Sequence, residues 1–258
     1  MIPLSADILS ITLLIIFIAA LNHGAIGLGF PLLATPLLSL MFDVRSAILL
    51  TLFPTIAVNL ASIVKGKEWH RSVGRYWPMA LYAAFGSYGS SQLLLNLDPN
   101  PFKLLLAAII FLYLYQQRKR DFALPWIGRH PRFAMLVFGL IAGFLAGTVN
   151  VMVPVLIIFA LEVGLAANPM VQVFNLCFLA GKLAQTAAFG QAGLLTTSTL
   201  TQLAPLILAA LIGLMIGFKL RHRIPERTFR RILKIILFAT ALLLVAQFLH
   251  DIFLAAHP

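Results

Sequence analysis

The sequence predicts an all-α polytopic membrane protein of two inverted-topology repeats, each a broken, re-entrant helical hairpin followed by three transmembrane helices. Composition is the first observation. Hydrophobic residues make up 61% of the 258 and charged residues only 10%, with a mean hydropathy of +0.98. A soluble domain carries roughly 25% charged residues, so a water-facing globule is excluded. The second observation is an internal match. Sliding the chain by 123 positions places Gly24 on Gly147, Pro31 on Pro154, Leu60 on Leu183 and Ala61 on Ala184. A slip to 127 places Pro78 on Pro205, Gly86 on Gly213 and Phe102 on Phe229. The third is charge placement, taken up below.

Apolar runs fall at about 8–42, 44–64, 76–95, 102–117, 133–163, 168–188, 200–219 and 231–254. A helix needs about 20 residues to span a bilayer, so six of these are expected to be single crossings, the fourth somewhat short. The runs 8–42 and 133–163 are too long for one helix and too short for two. Each is broken by a Gly/Pro tract, Asn22 to Pro31 in the first and Gly143 to Pro154 in the second. Both are read as two half-helices that enter and leave on one side. The first repeat is then 1–118, a basic linker follows at 119–132, and the second repeat is 133–258. The first apolar run starts near Ile8 and far exceeds a cleavable segment of about 7–15 residues, so no separate signal peptide is expected.

The loops decide the topology. Loop 65–75 carries Lys65, Lys67, Arg71 and Arg75 against Glu68. Loop 118–132 has Arg118, Lys119, Arg120, Arg129 and Arg132 against Asp121. Loop 219–231 has Lys219, Arg221, Arg223, Arg227, Arg230 and Arg231 against Glu226. Loop 96–101 holds only Asp98, and 190–199 holds no charge. With both long runs as hairpins, the three basic loops share the cytoplasmic side, as the positive-inside rule requires. Each half then crosses three times, so the halves are inverted and both termini are external. The net charge of +11 follows from these loops and from attraction to anionic headgroups. No nucleic-acid groove is expected, because no soluble domain carries the basic residues.

Duplicated membrane segments interrupted by Gly and Pro point to a transporter's binding site. Backbone freed at such a break must be buried in protein or line a wet cavity. Pro31 and Pro154 suit the first turn of a new helix, whose positive N-terminal end attracts anions. Gly24, Gly27 and Gly29 permit close backbone approach. Gly147, Thr148 and Asn150 hold the matching place in the second break, and the two tips are expected to meet near the midplane.

The segments after each hairpin are the most polar. Thr51, Thr55, Asn59 and Ser62 recur on one helical face, as do Gln172, Asn175, Lys182 and Gln185. The 123 offset superposes Asn59 on Lys182 and Ser62 on Gln185. Such residues serve either as interhelical hydrogen-bond partners or as the walls of a cavity. Lys182 lies about six residues from the end of its segment, so its ammonium either snorkels or meets a substrate. With no acidic partner on nearby spans, it suits an anion. Asn22 and His23 sit at the first tip, where the imidazole donates to an anion, carries a proton or is simply hydrogen-bonded.

Asp43, Asp98, Glu162 and Asp251 all lie near span ends, so facilitated or proton-coupled movement is expected over sodium symport. No catalytic constellation, no cofactor motif and no metal-ligand spacing of histidines is present; His70, His130, His222, His250 and His257 are scattered in loops or ends. The lone Cys177 excludes an internal disulfide. Gly86 with Ser90 and Gly213 with Gly217 have the small-xxx-small spacing of close helix packing, within the bundle or in a homodimer.

Gly24-Ala-Ile-Gly27-Leu-Gly29-Phe-Pro31-Leu-Leu33, its partner around Gly143 to Pro154, and Ile224-Pro-Glu-Arg227-Thr-Phe-Arg-Arg-Ile-Leu233 resemble the sulfite exporter TauE/SafE family across nearly the whole chain. The family usually has several consecutive glycines before the second proline, where this chain has Asn150, Val151, Met152 and Val153. The resemblance implies export of a small organosulfur anion, sulfite or an organosulfonate, through the inner membrane of a bacterial cell. Two other readings stand beside it: an anion channel, and a membrane enzyme or assembly factor handling sulfur compounds or lipids.

Overall fold

A computed structural model describes residues 5–66, 69–117, 124–221 and 226–256, with no strand among them. Lys67, Glu68, Arg118, Lys119, Arg120, Asp121, His222, Arg223, Ile224, Pro225 and His257 lie outside the described residues. The side chains of 69–73, 226–230 and 255–256, including those of His70, Arg71, Arg227 and Arg230, are outside the description too.

The first apolar run folds as α1 (Ala6–Ile26) and α2 (Phe30–Ser39). Ser5 caps α1 through the Ile8 amide. Gly27 and Gly29 turn the chain between them with φ of +96° and +104°, conformations that a Cβ makes costly. The second long run gives α7 (Pro131–Val149) and α8 (Val153–Glu162), joined through Asn150 at φ +60°. The arms are unequal, which corrects the expectation of two half-helices. At 1.5 Å per residue α1 and α7 are about 30 Å long, whereas α2 and α8 are about 15 Å. Nothing in α1 or α7 breaks the backbone ladder until a residue with positive φ arrives, so the first arm continues to that point.

The other elements are α3 (Val44–Lys65), α4 (Trp69–Asn96), α5 (Asn100–Gln116), the short α6 (Pro125–Arg129), α9 (Ala167–Gln191), α10 (Thr197–Leu220) and α11 (Glu226–Ala256). Asp43 caps α3 by accepting from the Ser46 amide, and Thr196 caps α10 by accepting from the Thr199 amide. Among the described residues, five helices are long and apolar enough to cross a membrane: α1, α3, α7, α10 and residues 231–254 of α11. Two of these are the hairpins' first arms, which the sequence reading made half-length. The chain is a multi-pass membrane protein.

Directions follow from contacts. The His23 ring meets Ser62, and Lys65 Nζ lies 3.7 Å from the Phe218 ring centre, so α1, α3 and α10 finish at the same end. Since α1 and α3 run the same way, α2 must return between them. Arg45, at the start of α3, donates to the Leu94 and Leu97 carbonyls at the end of α4, so α4 runs oppositely. Along the seam with α4, Gly139 faces Met79 and Tyr82, Gly143 faces Ala83, and Gly147 faces Ser87 and Ser90. α7 therefore runs with α4 and against α1. Lys65, Arg75, Arg129, Arg132, Lys219 and Arg221 gather at one end. The other end holds Asp43, Asp98, and Asp251 paired with Lys103 at 2.7 Å.

The tightest seams are backbone against backbone. A Cβ on Gly86 would overlap the Leu140 carbonyl, and one on Gly213 would overlap the Phe17 carbonyl. Gly147 is filled by the Ser87 carbonyl, Ser90 and the Ser91 amide, and Gly24 by the Leu214 carbonyl, Gly217 and the Phe218 amide. The partners in each pair of contacts are related by the offsets 123 and 127 found in the sequence. The small-residue motifs are thus occupied within the chain: Gly86 and Ser90 by α7, Gly213 and Gly217 by α1.

Candidate functional site

Tip 2, residues 150–152, is built against α9. Lys182 is 1% exposed and donates to Gln185 Oε1. Gln185 Nε2 in turn donates to the Gly147 carbonyl at 3.0 Å, near the end of α7. A Cβ on Gly181 would touch the Met152 side chain at 3.5 Å, which fixes tip 2 beside Lys182. α8 begins there with no side-chain cap and with Pro154 in its first turn, so the amides of Val153 and Val155 have no partner within the helix. Protonated, the Lys182 amine has three donors, of which one is engaged. Among the described residues no carboxylate pairs with it.

Asn150 serves a different purpose from the one expected. Its Nδ2 donates to Thr35 Oγ1 at 2.8 Å and Thr51 Oγ1 at 3.0 Å, which ties tip 2 to α2 and α3. Its Oδ1 is buried without a partner. What remains free on Asn150 is an acceptor, which repels an anion. Thr148 bonds back to the Phe144 carbonyl inside its own helix, an arrangement that satisfies the hydroxyl without a ligand.

Tip 1, residues 27–29, is capped from within. The Phe30 amide donates to His23 Nδ1 at 3.3 Å, and His23 Nε2 lies 3.2 Å from Ser62 Oγ. With Nδ1 accepting, the proton sits on Nε2 and faces Ser62. Both ring nitrogens are engaged, and the imidazole acts here as an N-terminal cap for α2 rather than as a free donor. Asn175 Nδ2 donates to the Gly27 carbonyl at 3.4 Å. Around this tip, Asn22 Nδ2, Gln172 Oε1 and Asn175 Oδ1 are buried without partners. A Cβ on Gly29 would lie 3.5 Å from Asn22 Nδ2.

The polar stripe on α3 faces inward but is mostly spent on its own backbone. Thr51 bonds to the Ala47 and Ile48 carbonyls, Thr55 to that of Thr51, Asn59 to that of Thr55, and Ser62 to that of Val58. Only Asn59 Oδ1 is left over, fully buried.

The tips are staggered along the bundle. On α3 the first tip is level with Ser62 and the second with Thr51, eleven residues or about 16 Å apart along the axis; on α2 the second tip reaches Thr35, five residues or about 8 Å past Phe30. The unequal arms explain this, because each α1 or α7 crosses nearly the whole bundle before turning. Thr35 and Ser87 also join the two halves, Ser87 through the Gly181 carbonyl at 2.9 Å. Neither stood out in the sequence, because an isolated Ser or Thr in an apolar run shows no period.

A family model described as Sulfite exporter TauE/SafE matches residues 12–244, which takes in both breaks, both polar helices and most of α11. The chain belongs to this family. No curated protein and no solved structure matches it. In this TauE/SafE protein the two broken segments are thus chemically unlike: one tip lies beside the buried Lys182 of α9, the other beside a cluster of neutral amides.

Proposed function

We propose that this protein exports a small anion of the sulfite or organosulfonate class, and that the anion sits at tip 2 against Lys182. The observation that carries this is the buried Lys182 side chain, with one hydrogen bond and no carboxylate partner among the described residues. A charge in that position is stabilised by a partner of opposite sign, and a small anion beside the uncapped start of α8 supplies one. The two helical runs of opposite direction and the paired glycine seams support inverted repeats, the arrangement that alternating access uses. The positive-inside rule orients the end holding Lys65, Arg75, Arg132 and Lys219 toward the cytoplasm of a bacterial inner membrane.

The test is sulfite flux into proteoliposomes of purified protein. Saturating flux that Lys182→Gln abolishes, with the variant still folded, supports an anion carrier seated at tip 2. Equal flux in wild type and variant would refute the seat, and flux that never saturates would make the protein a channel.

A further inference from the structure

We propose that the cavity at the basic end binds the headgroup of a phosphoethanolamine phospholipid. The cavity measures about 490 Å³ and is lined by Arg75, Tyr76, Arg132, Met135, Glu162 and Val163 among others. Its lining carries charge of both signs. Arg132 stands in the first turn of α7, so the positive end of a helix dipole joins two guanidiniums in the lining. Glu162 closes α8, whose C-terminal carbonyls add negative potential to its carboxylate. Among the described residues neither Glu162 nor Arg132 has an ion-pair partner. A phosphodiester suits the two arginines, since guanidinium presents a fork that matches phosphate oxygens. An ammonium suits Glu162. Phosphoethanolamine carries both, a few bonds apart.

The surroundings argue for a lipid as the source. Arg75 is held 5.6 Å from the Tyr76 ring centre, and Tyr76 packs edge-on against Phe159 at 6.0 Å. Phe159 contacts Phe138 at 5.9 Å, Phe138 contacts Trp126 at 6.0 Å, and Trp126 contacts Phe133 at 6.1 Å. This row of rings ends at Phe133, which is 58% exposed and adjoins Arg132 in sequence. Trp and Tyr are enriched at the headgroup level of a bilayer, and Tyr76 and Trp126 both belong to this row. Met135 and Val163 provide apolar wall for the glycerol and first methylenes. Phe159 belongs to α8, so an occupied cavity also braces the helix that carries tip 2.

The experiment is native mass spectrometry of the full chain released from micelles holding equal amounts of phosphatidylethanolamine, phosphatidylglycerol and phosphatidylcholine. Wild-type protein should retain phosphatidylethanolamine preferentially. Arg75→Gln with Arg132→Gln should lower retention of all three by roughly tenfold or more, the loss of charge-assisted hydrogen bonds. Glu162→Gln should shift the preference to phosphatidylglycerol while keeping total retention. No preference in wild type, or variants that retain lipid as wild type does, would overturn the proposal. Competition by soluble glycerophosphoethanolamine as strong as by the intact lipid would overturn the lipid assignment in favour of a soluble phosphate ester. Sulfite flux is not read in any arm, so the outcome is independent of the function proposed above.

Discussion

Asn150→Ala and Asn150→Gly, compared with each other, separate the backbone of tip 2 from its hydrogen bonds. Asn150 is the one non-glycine residue with positive φ among those described, at +60°. Both substitutions remove the bonds to Thr35 and Thr51, each worth about 1 kcal/mol net. Both also delete the unpartnered Oδ1, which returns part of that loss equally. Only alanine meets the steric penalty of the left-handed region, about 1–2 kcal/mol. Glycine gives back roughly half of that advantage through the greater freedom of its unfolded chain. Alanine should therefore be less stable than glycine by about 0.5–1 kcal/mol, measured by equilibrium unfolding in mixed micelles. Alanine as stable as glycine would show that tip 2 does not need the left-handed conformation, and would undo this account of the second break.

Other perturbations follow from the same geometry. Lys182→Gln should weaken sulfite binding by about 1.5–3 kcal/mol, the value of a hydrogen bond from a charged donor, read by isothermal titration. Thr148→Ala should leave binding unchanged and alter stability by less than about 1 kcal/mol, because its hydroxyl serves only the Phe144 carbonyl. Gly24→Leu and Gly147→Leu should each destabilise by about 3 kcal/mol or more, at the upper end of overpacking losses, because the intruding carbon meets backbone; unchanged melting temperatures would contradict the seams. Asp251→Asn should lower stability by no more than about 1 kcal/mol, since its ion pair with Lys103 is partly solvated. Cysteines placed in 190–199 should react with an impermeant reagent from outside the cell while those in 119–130 stay protected.

The two breaks were legible because Gly and Pro together loosen the backbone and remove an amide from the helix ladder, which a membrane-length apolar run otherwise keeps whole. Asn150 was legible only as an irregularity: after glycine, asparagine is the residue that enters the left-handed region most readily, so it occupies the turn without the family's glycines. The unequal arms were not legible. Hydropathy is the same on both sides of Gly27, and only the positive φ there tells where α1 ends. For the same reason the sequence could not say that the tips are staggered, which depends on arm length. The inward stripe on α3 was correctly periodic, yet periodicity cannot distinguish a hydroxyl bonded four residues back from one offered to a ligand. Lys182 stood out by charge alone, and the structure adds its single partner.

The glycine seams carry a consequence for how this molecule can move. They weld α4 to α7 and α1 to α10, and each weld takes one member from either half of the sequence. Two surfaces meshed at the level of the peptide unit slide poorly, since no flexible side chain lies between them to give way. The rigid pieces are accordingly these mixed pairs, each of which joins the two stretches of chain that the offsets of 123 and 127 match. Under the alternating access proposed above, a spectroscopic ruler set across a weld should hold its length when sulfite is added, while one laid from α4 to α10 should change.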